Sequence, residues 1–184
     1  MNNLIKLVGI HGAGKTFFLN LCRENCICQN ANYIELGREI TNLMAYKSVS
    51  DIESFKQCQK ELLMDIIQNR QPAIITSHTV FREKDRLTYY EELENCAIPK
   101  GYVYIFSEPA TILERRLRDK RKGIRDREIG DLEGITIHQD MAFNVTSRFA
   151  QDNNVAFLKI NNYEDNVKYN LTEIKMFIKT LFNA

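Results

Sequence analysis

Gly9-Ile10-His11-Gly12-Ala13-Gly14-Lys15-Thr16 follows the short apolar run Leu4–Val8 and opens a helical periodicity over Lys15–Cys26. The pattern G-x-x-x-x-G-K-[ST] between a strand and a helix is built to hold phosphate. Glycines let the backbone turn its N–H groups inward around a β-phosphate, and the helix N-terminus adds partial positive charge. Lys15 is expected to reach the β and γ oxygens, and the Thr16 hydroxyl to ligate Mg²⁺. The expected nucleotide-contacting residues are Gly9, His11, Gly12, Ala13, Gly14, Lys15 and Thr16, with the His11 ring read as facing solvent.

A second chemical signal is a concentration of charge. Residues 114–128 hold eight Lys/Arg against four Asp/Glu, whereas the other residues hold 17 against 20. Such an uneven spread argues against a general nucleic-acid surface and for a local anion clamp. The run Glu114-Arg115-Arg116-Leu117-Arg118-Asp119 continues into Lys120-Arg121-Lys122-Gly123-Ile124-Arg125-Asp126, so a helix passes directly into a basic loop with a glycine. A phosphoryl-transfer lid needs that arrangement, because guanidinium groups that close over the loose transition state neutralise its spread negative charge. The other reading of the same run is a solvated basic helix end favoured by the macrodipole.

These groups need a scaffold, and the chain alternates short apolar runs with longer helical periods. Expected strands are Leu4–Val8, Asn32–Leu36, Ala73–Thr76, Tyr102–Phe106 and Val155–Ile160. Helices are expected over Arg38–Tyr46, within Ile52–Asn69, from Pro109 to about Lys122, and over Asp165–Phe182. Strands separated by helices imply parallel pairing and ligands at the carboxyl ends of the strands. The expected fold is α/β: a three-layer α/β/α P-loop NTPase fold with about five parallel strands and a short lid. Residues 1–184 read as one domain, with an acceptor-binding helical region at about 33–70 and the lid at about 120–134.

Composition narrows the class further. The 184 residues are 44% apolar and 27% charged, with 8 Gly and 3 Pro, which excludes collagenous and wholly disordered chains. No apolar run is long enough for a membrane span or a secretory signal, so a cytoplasmic location is expected. The five cysteines include no C-x-x-C pair and read as reduced thiols.

Taken in order, these segments resemble the archaeal-type adenylate kinases, a branch of the nucleoside monophosphate kinases. The resemblance rests on Gly9–Thr16, on Ile74-Ile75-Thr76-Ser77-His78 where that family reads I-I-D-T-H, on Arg115-Arg116-Leu117-Arg118-Asp119, on the pair Arg125-Asp126, and on His138-Gln139 leading into an Ala-containing helix. It implies transfer of the γ-phosphoryl group of ATP, with Mg²⁺, to a nucleoside monophosphate. Lys15 and Thr16 would then grip MgATP, Arg116 with Lys120 or Arg121 would line the phosphates, Arg125 would enter from the lid, and Arg82 would hold the acceptor phosphate. The partners implied are ATP and a small acceptor, with no nucleic-acid polymer and no membrane; self-association stays open.

The chain departs from that family in three places. Thr76 replaces the carboxylate near Mg²⁺, Phe143 replaces an arginine in the helix after the lid, with Arg148 the next arginine along it, and the acceptor region has no methionine-arginine-lysine run. Two other readings therefore stand beside the first: a kinase of another small metabolite, and a nucleotide-binding regulatory module with weak ATPase activity.

Overall fold

Mostly apolar runs without strict polar alternation build the middle of the sheet, because strands buried on both faces have no solvent side to mark. Lys6, the one charged residue of the central strand, is itself buried. The computed structural model describes residues 2–83, 86–123 and 129–182. In chain order the elements are β1 (Leu4–Val8), α1 (Lys15–Glu24), β2 (Asn32–Glu35), α2 (Leu36–Lys47), α3 (Ile52–Asn69), β3 (Ala73–Ser77), β4 (Val80–Glu83), β5 (Arg86–Tyr89) and α4 (Glu91–Asn95). There follow β6 (Gly101–Phe106), α5 (Pro109–Arg121), α6 (Leu132–Asp152), β7 (Ala156–Asn161) and α7 (Val167–Phe182).

Five strands form one parallel sheet in the order β2-β3-β1-β6-β7. Ile5 and Leu7 of β1 pack with Phe18 and Leu19 of α1 and with Ile174 and Ile178 of α7. On the opposite face, Val8 packs with Ile135 and Ala142 of α6, while Leu4 meets Leu63 and Ile66 of α3. Helices thus cover both faces, and the three-layer α/β/α arrangement expected from the sequence is the observed one. Among the described residues no helix is long and apolar enough to cross a membrane.

The sheet strands and most helices lie within a residue or two of their expected bounds. The antiparallel pair β4–β5 and the short α4 are additions to the expected elements, and α6 extends well before the Ala-containing helix expected after His138. His138 fastens α6 to the hairpin: it is buried, and its Nε2 lies 3.2 Å from the Val80 carbonyl oxygen. A carbonyl only accepts, so Nε2 carries the proton of the neutral ring.

Burial pushes the His138 pKa down from 6.5 to about 4, helped by the nearby charges of Arg116, Arg82 and Lys15. Between these two values the unfolded chain takes up a proton that the fold refuses. Stability from this group is therefore complete above about pH 6.5 and is lost as pH falls towards 4. Thermal melts of the His138→Gln variant against pH are expected to show a shallower decline than the unsubstituted chain from pH 6.5 to 5, above most carboxylate titration.

Candidate active site

The loop after β1 begins and ends on glycines that no other residue replaces easily. Gly9 has φ +145°, and a Cβ there would lie 2.6 Å from the backbone oxygen of Ile105 on β6. Gly14, at φ +104°, stands directly before α1, and a Cβ there would run into the side-chain amide of Asn162. Both positions combine a left-handed backbone with a close neighbour, where glycine alone is unstrained.

Between these glycines, side chains hold the loop carbonyls. Lys15 Nζ donates to the oxygens of Gly9 (2.8 Å) and Ile10 (2.9 Å). Arg116 donates to the His11 oxygen from Nε (3.1 Å) and Nη2 (2.9 Å), and from Nη1 to the Ile129 oxygen (2.9 Å). Arg115 Nη1 donates to the Gly12 oxygen (3.0 Å), while Ser107 Oγ and Asn162 Nδ2 both donate to the Ala13 oxygen, at 2.9 and 2.8 Å. A trans peptide places the next N–H opposite its carbonyl. The N–H groups of Gly12 and Gly14 therefore point away from the side chains that hold the His11 and Ala13 oxygens, and both glycines line the cavity.

That cavity has a volume of about 1090 Å³. It runs from the loop and α1 across the carboxyl ends of β2 and β3 to Arg38, Thr41 and Asn42 on α2, with Phe55 and Phe81 on its wall. Its size lies just above the ~300–1,000 Å³ typical of a single small-molecule site. Arg115, Arg118 and Asn162 close the other end.

Thr16 Oγ1 donates to Glu35 Oε2 at 3.2 Å. Glu35 is the last residue of β2 and pairs in register with Thr76 of β3, and all three side chains line the cavity. Hydroxyl and carboxylate oxygens are the hard donors that Mg²⁺ takes, in company with substrate phosphates. The site thus fits a phosphate-bound Mg²⁺; among the described residues no group of three His, Cys, Asp or Glu could cage a metal alone.

Several expected residues lie elsewhere than the sequence suggested. His11 is partly buried, its ring centroid 3.8 Å from that of His78, which in turn lies 3.4 Å from Lys15 Nζ through Nδ1. Arg116 sits behind the loop on the His11 carbonyl, while Arg115 and Arg118 of the same helix line the cavity. Arg121 is exposed at the end of α5, and Arg82 on β4 has its guanidinium beside Gly134 at the start of α6; neither lines the cavity among the described residues. Arg125 and Asp126 fall outside the described residues, as does the rest of 124–128 within the expected lid.

Phe143 packs edge-on against Tyr104, with centroids 5.3 Å apart, so the position belongs to the core. Arg148 is exposed and 3.7 Å from Asp152, away from the cavity, and does not take the place of the missing arginine. Sequence reasoning missed Glu35, Ser107, Arg115, Arg118 and Asn162. A carboxylate closing the second strand was the one local signal for Glu35; Asn162 and Ser107 carry none.

Comparison with known proteins agrees with this geometry. The family described as AAA domain matches residues 8–135. An adenylate kinase of Thermococcus kodakarensis is 26% identical over 174 residues, covering 88% of this chain and 87% of that protein. An adenylate kinase of Thermococcus sibiricus is 30% identical over 101 residues, 54% of this chain and 50% of that protein. Among solved structures, a shikimate kinase from Acinetobacter baumannii in complex with shikimate superposes with a TM-score of 0.60 at 15% identity, covering 96% of this chain and 93% of that one. A gluconokinase from Sinorhizobium meliloti gives 0.56 at 12% identity, covering 97% and 94%. With the phosphate loop, the sheet order and the family match in agreement, this chain belongs to the AAA-domain family and is a P-loop kinase.

Proposed function

We propose that the chain transfers the γ-phosphoryl group of ATP to a nucleoside monophosphate. The observation that carries this reading is a continuous cavity with the phosphate loop at one end and Arg38, Thr41, Asn42, Phe55 and Phe81 at the other. The loop end suits a triphosphate, and the other end offers a cation for an acceptor phosphate beside aromatic rings for a base. Similarity to two adenylate kinases supports the same acceptor class.

In this reading an acceptor phosphate oxygen forms a bond to the γ-phosphorus in line with the breaking bond to the bridging oxygen, and ADP leaves with that electron pair. No covalent enzyme intermediate is required. Gly12 and Gly14 present their N–H groups to the β-phosphate, and Lys15 exchanges its loop carbonyls for the β and γ oxygens. Thr16 would hold the Mg²⁺ that accompanies ATP, which supplies neutralisation of phosphate charge. Arg115 and Arg118 face the nucleotide end of the cavity, and Arg38 takes the acceptor phosphate in the role that the family resemblance implies for Arg82.

Incubation with MgATP and a panel of nucleoside monophosphates, followed by ³¹P NMR, is expected to yield ADP and a second diphosphate from at least one of them. Transfer only to hydroxyl acceptors such as sugars or hydroxy acids would replace this reading with the metabolite-kinase one. ATP binding with slow hydrolysis and no transfer to any acceptor would leave a regulatory module.

A further inference from the structure

We propose that Glu35 is the carboxylate that anchors the divalent cation of this site, taking over from the strand-end position that Thr76 leaves neutral. The inference rests on the kinase reading above and goes beyond it by assigning a residue outside the phosphate-loop motif.

Three observations carry it. First, the Thr16 hydroxyl, the expected cation ligand, spends its single proton on Glu35 Oε2 at 3.2 Å. A hydroxyl has one donor and two lone pairs, so a donor committed to Glu35 leaves the lone pairs for a cation. A carboxylate accepting from a ligating group both orients it and raises its basicity. Second, Glu35 and Thr76 are register partners at the carboxyl ends of adjacent strands, and both face the cavity. A carboxylate moved from one to the other shifts by a single strand and stays on the same rim, about 4.8 Å away in the sheet. Third, Glu35 immediately precedes α2, where the positive end of the helix dipole favours a fixed negative charge. Glu35 therefore acts as a positioning residue on Thr16, and its negative charge offsets that of the cation and holds the waters the cation keeps.

The test separates metal binding from catalysis. ADP affinity is measured by calorimetry without metal and again at saturating Mg²⁺, and the ratio of the two dissociation constants gives the metal-linked gain. Mn²⁺ bound with ADP is followed independently by electron paramagnetic resonance. Glu35→Gln, nearly isosteric, is expected to keep its metal-free ADP affinity and to lose about 10- to 100-fold in metal affinity, the usual effect of removing such a partner. Adding Thr76→Asp to Glu35→Gln is expected to restore most of the gain, because the charge returns to the adjacent strand end.

An unchanged metal-linked gain in Glu35→Gln, with ADP still bound, overturns the proposal and leaves the kinase reading intact. Failure of the unsubstituted protein to bind ADP under either condition overturns both. Melting curves check that the variants fold. If Glu35→Gln does not fold, Glu35→Asp with the Mn²⁺ spectrum decides: an unaltered spectrum and affinity after the carboxylate retreats by one methylene overturns the assignment.

Discussion

Lys15→Ala is expected to lower kcat by about 10²–10³, the typical loss when one preorganised donor to developing charge is removed. In the ligand-free fold the ammonium is buried and shared between the Gly9 and Ile10 oxygens, with His78 Nδ1 at 3.4 Å. These neutral acceptors are worth less to an ammonium than phosphate oxygens, so arrival of ATP draws Lys15 from the loop to the ligand. The glycine amides remain after the substitution, so the loss should fall mainly on kcat, with a smaller change in ATP affinity. Single-turnover rates at saturating ATP, with a calorimetric dissociation constant alongside, separate the two. A turnover equal to that of the unsubstituted protein would remove Lys15 from the chemistry.

Lys15 and its loop were legible because everything they need is local: a strand, a tight glycine turn and a helix start within thirteen residues, Leu4–Thr16. The parallel strands were legible for a related reason. Ile74-Ile75 and Tyr102-Val103-Tyr104-Ile105 are unbroken apolar runs, and only burial on both faces suits them. The β4–β5 hairpin gave no comparable signal. Its strands carry Arg82, Glu83 and Arg86, and the linking sequence Lys84-Asp85 has neither the glycine nor the asparagine that usually marks a two-residue turn.

Which arginine faces the ligand was illegible for a different reason. Arg115, Arg116, Arg118 and Arg121 occupy most of the circumference of α5, so periodicity selects no face. Tertiary packing does. The face that meets the loop takes Arg115 to Gly12 and Ser107 and leaves Arg116 on the His11 carbonyl. Glu35 was missed on the same principle, since its partner Thr16 lies 19 residues away and its neighbour Thr76 reaches it only through strand pairing. Local motifs reveal the half of a site that one turn of chain can build; the half assembled across strands becomes visible only in the fold.

The largest expected loss of stability lies in the same strand that carries the loop. Lys6 points from β1 to the face covered by α4, where it is 1% exposed and 2.7 Å from Glu94 Oε2, itself 3% exposed. The same carboxylate oxygen accepts from the Tyr102 hydroxyl at 2.5 Å. Burial, together with the Glu94 charge, pushes the Tyr102 pKa well above its ordinary value, so the phenol remains a donor at any working pH. Lys6→Met fills similar volume but leaves a buried carboxylate without its cation, which costs about 3–5 kcal/mol. For a chain of this size that corresponds to a melting temperature lower by roughly 6–20 °C. The double variant Lys6→Met/Glu94→Gln removes the charge and keeps an acceptor for Tyr102, so it is expected to recover most of the loss. A double variant as unstable as the single one, in matched denaturation curves, would place the cost in lost packing around Lys6 and not in the stranded charge.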